Sequence, residues 1–366
     1  MVGGTLQPIV EMRTPLFILI PALVASFLGV GAQGLLGASQ LKSDEQIVFL
    51  PAIGRLTTNG SWQVMVSGFV YEQETRPGAR WLVRKYLGLD DETMSAEETK
   101  IFEERIRRFL IDAESGKRIT VRIGDATAAM EVTHGDGHFS GMVTLPAAAA
   151  TTAALRLEAI VSAGDARKFS GPVQLVPPRG VSVVSDIDDT IKVSDVRQRR
   201  ELLLNTFVRP LKPVPGMADT YQRWATNAGT AFHYVSASPW QLAPVLEEFL
   251  TRDGFPAGTL QLRTLRWRKE LFGGYSPDTH KRTEIGRLLA MFPEREFVLV
   301  GDSGERDPEI YGTLAREHPG RIRAIYIRDV TGEPPTAERY REAFKGLPAD
   351  GWKVFKEPGE MPSELR

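Results

Sequence analysis

Cysteine is missing from all 366 residues of this chain. That single absence excludes disulfides, thiolate zinc sites and cysteine nucleophiles together. It does not exclude export, because an oxidising compartment permits disulfides without requiring them. An excess of either charge is lacking too: 45 Lys and Arg face 46 Asp and Glu, for a formal net charge of −1. With no overall basic field, and no basic patch interleaved with aromatics, nucleic acid is not an expected partner. No internal repeat is found.

What is there suits ordinary folded domains. The chain is 42% hydrophobic and 25% charged, and its length predicts about two domains at ~150 residues each. Between Thr14 and Leu41 no charged residue occurs, and Leu16 to Val30 is strongly apolar behind Arg13. Val30-Gly-Ala32 resembles a small-residue cleavage site. Residues 1–42 therefore read as a secretory signal or a membrane anchor, which gives an exported or membrane-anchored location.

Residues 43–178 read as a β-rich, sandwich-like domain. Trp62 to Tyr71 is rich in β-formers, Ile119, Val121 and Ile123 alternate, and Gly-rich turns such as His134-Gly-Asp-Gly137 separate the runs. Two helices are expected within it. One runs from Arg80 to Leu87 and ends at Gly88. The other opens at the capping box Ser95-Ala-Glu-Glu98 and carries Ile101, Phe102, Ile106, Phe109 and Leu110 on one face. His134 and His138 read as solvated turn residues, since the glycines between them oppose a shared metal site. Pro177-Pro-Arg-Gly180 is the stiff boundary between this domain and the next.

From 179 to 366 strands alternate with helices, which predicts a parallel sheet covered on both faces. Candidate strands are Val181–Ser185, Ala231–Ser236, Leu260–Leu265, Phe297–Val300 and Ile322–Ile327. Candidate helices are Met217–Ala225, Pro239–Leu250 and one carrying Ile285, Leu288, Leu289 and Phe292. Val193 to Pro213 is too short for a cap domain and reads as a flap beside the site.

The chemistry gathers at strand ends. The run Val181-Ser-Val-Val-Ser-Asp-Ile-Asp-Asp-Thr-Ile191 leads a buried strand into Asp186 and Asp188, with Thr190 just beyond. Acids this close repel unless compensated, and Mg²⁺ accepts one or two carboxylates while keeping water and phosphate oxygens. A turn or helix cap is the plainer reading of Asp and Thr here. Phe232-His-Tyr-Val-Ser236 ends in a hydroxyl, and Ser238, before Pro239 and Gln241, reads as a structural N-cap. Lys281 lies early in a helix opening at Ser276-Pro277, where a cation is mildly unfavourable unless an anion sits beside it. Phe297-Val-Leu-Val-Gly-Asp302 ends in an acid, and Asp307 stands five residues further on, where capping the next helix is its alternative role.

Taken in order, strand–DxDxT, strand–Ser, helix–Lys, strand–GDxxxxD resembles the haloacid dehalogenase superfamily, phosphatase branch. Ser185-Asp-Ile-Asp-Asp-Thr-Ile-Lys192, Pro215-Gly-Met217, Tyr234-Val-Ser-Ala-Ser-Pro-Trp240, Gly301-Asp-Ser303 and Ile325-Tyr-Ile-Arg328 are similar to the actin-patch-associated phosphatidate phosphatase catalytic domain family, which is lipin-related. The resemblance covers about Val181 to Arg328. It implies a Rossmann-like parallel sheet with a minimal cap, and Mg²⁺-dependent conversion of phosphatidate to diacylglycerol at a membrane surface. Asp186 is then the expected nucleophile and Asp188 the acid and base. Ser236 and Lys281 would stabilise phosphate oxygens, with Thr190 a further substrate-binding candidate. Asp186, the Asp188 carbonyl, Asp302 and Asp307 would hold Mg²⁺. Rival readings are a phosphatase of a soluble sugar or nucleotide phosphate, a non-catalytic phosphatidate-binding module, and a β-rich domain that itself binds membrane or partner.

Overall fold

Strand-forming runs with period-2 burial build the first half of the described chain. The computed structural model describes residues 37–365 apart from 74–77, 79–80, 82–83, 86, 90–92, 152–154 and 264–276. Among the described residues nine strands precede residue 177: β1 (Glu45–Phe49), β2 (Ala52–Leu56), β3 (Trp62–Gln73), β4 (Ile111–Ala113), β5 (Thr120–Ile123), β6 (Ala126–Ala129), β7 (His138–Leu145), β8 (Arg156–Ala159) and β9 (Ser170–Val176). They join in the order β1-β3-β2-β9-β8-β5-β6, with β4 and β7 also pairing β3. On β3, Val64, Val66 and Val70 point to a core shared with Ile47, Phe49, Val121, Phe139 and Leu157.

Helix α1 (Ala96–Arg107) has the expected capping box, Ser95 bonding the amide of Glu98 while Glu98 returns to the amide of Ser95. Its buried Phe102 and Ile106 lie on the expected face. Of the helix expected over 80–87, residues 81, 84 and 85 are helical, while 80, 82, 83 and 86 lie outside the described residues. His134 is exposed as expected. His138 is not a solvated turn residue: it begins β7, and its ring lies 5.1 Å from that of Phe69.

The second half is a six-stranded parallel sheet of β10 (Val181–Ser185), β11 (Ala231–Pro239), β12 (Gly258–Arg263), β13 (Glu296–Asp302), β14 (Ile322–Arg328) and β15 (Trp352–Phe355). Its order is β12-β11-β10-β13-β14-β15. Numbered from β10 this is 3-2-1-4-5-6, so the order reverses between β10 and β13, where open α/β sheets bind ligands beyond their carboxyl ends. Neighbouring residues serve opposite faces. Val183, Phe232, Tyr234, Val298 and Val300 enter one core, and Val184, Val235, Phe297 and Leu299 enter the other. That is why these strands read as unbroken apolar runs.

Among the described residues, helices α2 (Arg199–Phe207), α3 (Met217–Ala225), α4 (Ala243–Arg252), α5 (Pro277–Met291), α6 (Asp307–Glu317) and α7 (Glu338–Ala343) accompany this sheet. β15 is a strand that the sequence pattern did not predict. The helix expected from Pro239 starts later, because β11 keeps pairing with β12 as far as Pro239↔Arg263. Ser238 is therefore in a strand and caps nothing. Residues 36–366 form one compact unit. Among the described residues no helix is long and apolar enough to cross a membrane, and the apolar run 16–30 lies outside them.

Candidate active site

Everything at the end of β10 serves to fix two carboxylates in different surroundings. The Asp186 amide donates to the Val300 carbonyl, 2.9 Å away, extending the β10–β13 pairing one residue past the strand. Ile187 and Ile191 are fully buried, and the amides of Ile191 and Lys192 both return to the Ile187 carbonyl. The turn between them forces Asp189 to φ +55°, a conformation Asp tolerates better than most residues. The Asp189 carboxylate then accepts the amides of Ser194, Asp195 and Val196 at 2.8, 2.9 and 2.7 Å. Asp189 is thus the clamp of the loop.

Asp186 is buried, and Thr190 donates to its Oδ2 at 2.9 Å. Its Oδ1 lies 2.8 Å from Lys281 Nζ, out of hydrogen-bonding direction. Lys281 also meets Asp307 and Glu305, each at 2.7 Å. Burial works against charge on Lys281, but Asp186, Asp307 and Glu305 outweigh it and hold the ammonium well above its ordinary range. Asp302, closing β13, accepts the amides of Gly304 and Glu305 on Oδ1 at 2.6 and 3.2 Å. Its Oδ2 is buried without a partner. Asp307 does not act as a side-chain cap of α6; its Oδ2 accepts the Asp302 amide at 3.1 Å. Gly301 lets it approach, since a methyl there would overlap the Asp307 carboxylate.

Four carboxylates thus crowd one ammonium. Burial pushes Asp186 well above the carboxylate range, against the pull of Lys281, and burial with the nearby Asp307 does the same to Asp302. One oxygen each from Asp186, Asp302 and Asp307 lies within 4.8 Å of the others. Oxygen donors only, an unpartnered buried Asp302 oxygen and uncompensated negative charge fit a hard divalent cation such as Mg²⁺.

Asp188 stands apart from that cluster. Its carboxylate meets Lys192 at 2.7 Å and accepts the hydroxyls of Ser194, Ser236 and Ser238 at 2.7, 3.0 and 3.2 Å. Burial opposes its charge, yet Lys192 and the Ser194 and Ser236 hydroxyls prevail and lower its pKa to about 2.

The structure brings together all seven singled-out residues in these two groups. Thr190 spends its hydroxyl on Asp186, and Ser236 donates to Asp188. Sequence reasoning missed Lys192, Ser194, Ser238 and Glu305. Lys192 and Ser194 stand two and four residues past the DxDxT run, a signal present in the sequence. Arg339 was also missed; on α7, it bonds the carbonyls of Ser303 and Glu305 and the carboxylate of Glu309. Val193 to Pro213 does rise beside the site. Its base is closed by bonds from the Val193 amide to Lys212 and from the Val214 amide to Ile191. A cleft of about 470 Å³ opens next to it, lined in part by Asp189, Asp195, Arg197, Gln198 and Arg328.

Residues 181–329 match the sequence profile of the family described as phosphatidate phosphatase APP1, catalytic domain. Over this stretch the chain is similar to that family. Phosphatidate phosphatase APP1 of Saccharomyces cerevisiae is 36% identical over 162 residues, 43% of this chain and 27% of that protein. The uncharacterized protein C29B5.04c of Schizosaccharomyces pombe is 34% identical over 172 residues, 46% of this chain and 28% of that protein. The chain thus matches little more than a quarter of the length of these relatives. Among solved structures, a ferredoxin-NADP+ reductase from Plasmodium falciparum covers 78% of this chain and 95% of its own, at 6% identity and TM-score 0.19. The family stretch contains both acid groups, Ser236, Ser238 and Lys281, while Arg339 lies beyond it.

Proposed function

We propose that this chain is a Mg²⁺-dependent phosphomonoesterase of haloacid dehalogenase type, acting on phosphatidate and releasing diacylglycerol and phosphate. The observation that carries the reading is Asp186: a buried carboxylate with one oxygen held by Thr190 and the other facing Lys281, at the sheet's switch point beside Asp302 and Asp307. The lipid substrate rests on the described activity of the matching family. It puts the working enzyme at a membrane surface. The apolar run 16–30, read as an export signal or anchor, would bring it to one.

Asp186, Asp302 and Asp307 would hold Mg²⁺, together with the Asp188 carbonyl. Bound there, the ion would neutralise charge so that an anionic nucleophile could approach an anionic phosphate. The Asp186 carboxylate attacks phosphorus in line, forming an acyl phosphate as the ester P–O bond breaks. Lys281 and Ser236 donate to the equatorial oxygens. Asp188, having taken up a proton from solvent as substrate binds, gives it to the leaving alkoxide, then takes one from the water that cleaves the acyl phosphate and restores Asp186. At rest Asp188 is ionised and suited to the base half of this cycle. When a phosphate oxygen draws away the Ser236 hydroxyl, Asp188 loses one of its donors and its affinity for a proton rises.

The test is a phosphate-release screen of the full chain with and without Mg²⁺. It covers phosphatidate, lysophosphatidate, sugar phosphates and nucleotides. Mg²⁺-dependent release from phosphatidate in preference to the others is expected. Preference for a soluble ester would replace the substrate assignment, and no release from any ester would end the phosphatase reading.

A further inference from the structure

Alternate residues of β3 face opposite ways, and its outer face changes character along its length. Met65 is 42% exposed, while Phe69, on the same face, is 1% exposed. Phe69 is covered by Trp240, whose ring stacks on it at 3.8 Å with 3° between planes. Val48, Leu50, Tyr71 and Ile111 pack against the same cluster of the catalytic half. Trp240 directly follows Ser236-Ala-Ser-Pro239, the segment whose two hydroxyls reach Asp188.

A second contact starts from α1. Arg105 is 7% exposed, and its guanidinium donates to the carbonyls of Thr206 and Arg209 at 2.8 Å each. Those carbonyls lie at the C-terminal end of α2, where helices leave acceptors unpaired. Phe102 and Ile106 pack with Leu204 and Phe207 alongside. From α2, Asn205 donates to the Ser194 carbonyl at 3.2 Å and to Asp195 at 2.9 Å. Ser194 in turn donates to Asp188. Ile53 and Val176 of the β-rich half join the other core of the sheet, but these two contacts end, from opposite sides, on the hydroxyls that hold Asp188.

We propose that the β-rich half positions the acid–base carboxylate: Phe69, through Trp240, sets Ser236 and Ser238, and Arg105, through α2 and Asn205, sets Ser194. The proposal rests on the phosphatase reading for its catalytic consequence, while the positioning itself is a property of the fold. Phe69 and Arg105 are positioning residues and touch no substrate.

The test compares four variants of the full chain: Phe69→Leu, Phe69→Tyr, Arg105→Met and Val121→Ala. Val121 is a buried residue of the β-rich core with no part in either contact, so its variant reports loss of stability alone. The readouts are kcat and KM for an aryl phosphate, the unfolding midpoint, and hydrogen exchange of 194–209 and 236–242. Misplacing a catalytic group by about 1 Å can cost about a hundredfold. Phe69→Leu and Arg105→Met are expected to lower kcat at least about tenfold, with KM within about twofold. Each should also speed exchange in its own segment, 236–242 for Phe69 and 194–209 for Arg105. Phe69→Tyr keeps the ring and should retain kcat, and Val121→Ala should retain it despite a lower midpoint. Unchanged kcat in Phe69→Leu and Arg105→Met, or an equal loss in Val121→Ala, overturns the proposal. If the parent chain releases no phosphate, the phosphatase reading has failed on its own account. Exchange then decides: faster exchange supports the positioning, and unchanged exchange overturns it.

Discussion

Thr190 donates its hydroxyl to Asp186 Oδ2 at 2.9 Å, with both residues buried. One oxygen is thereby fixed, and the other is presented to Lys281. Asp186→Asn should eliminate both turnover and any phospho-enzyme. Thr190→Val, which is close in size, should leave the chain folded and lower kcat about tenfold to a hundredfold by loosening the proposed nucleophile. Borohydride reduction of the acyl phosphate during turnover would locate the modified residue. A label elsewhere would defeat the nucleophile assignment.

Asp302 keeps a buried oxygen without a partner beside two other carboxylates. Asp302→Asn removes that repulsion. In EDTA the variant should melt at or above the parent chain's temperature, yet gain nothing on addition of Mg²⁺. The parent should gain stability as Mg²⁺ is added, following mass action. Full activity in EDTA, or in the variant, would remove the metal from the mechanism.

Asp307 reaches the site only because Gly301 has no side chain. Gly301→Ala should displace the Asp307 carboxylate, weaken Mg²⁺ binding and cost activity more than stability. Calorimetric titration with Mg²⁺ checks this. An unchanged affinity would show that the loop yields without moving Asp307.

His233 is buried between Ser182 at 3.2 Å and Thr259 at 2.9 Å. Burial first, then the Arg295 charge, lowers its pKa from 6.5 to about 3. Between these values the unfolded chain binds a proton that the folded chain refuses, so stability falls as pH falls through that window. The slope is about 1.4 kcal/mol per pH unit, for a total of roughly 5 kcal/mol. His233→Gln should flatten denaturant-derived stability between pH 6.5 and 3 by one proton. An unchanged slope would mean that His233 titrates normally.

Much of the second half is legible in the amino-acid sequence. Buried parallel strands must be apolar on both faces, so β10 and β13 announce themselves as Val-rich runs, and the acids closing them mark the sheet's functional end. The α1 capping box and the Met217–Ala225 helix are equally plain, since caps and 3.6-residue periodicity are local rules. Ser238 shows where a local rule loses. Ser-Pro reads as a helix start, but pairing with β12 carries the strand through it and turns the hydroxyl to Asp188.

Sequence by itself determined which residue types stand at the strand ends, and hence the class of chemistry proposed for them. Only the tertiary structure decided how they pair. Asp186 and Asp188 are both aspartates two residues apart, yet one is crowded by Asp302, Asp307 and Glu305 around Lys281, and the other is enclosed by Lys192 and three serines. A carboxylate's proton affinity follows from burial and from the charges that reach it. Those neighbours come from elements up to 121 residues along the chain, from Asp186 to Asp307. The same holds for the β-rich half. Nothing in the spacing of Phe69 or Arg105 relates them to Asp188; the stacking of Phe69 on Trp240 and the grip of Arg105 on α2 exist only once two separately read halves fold against each other.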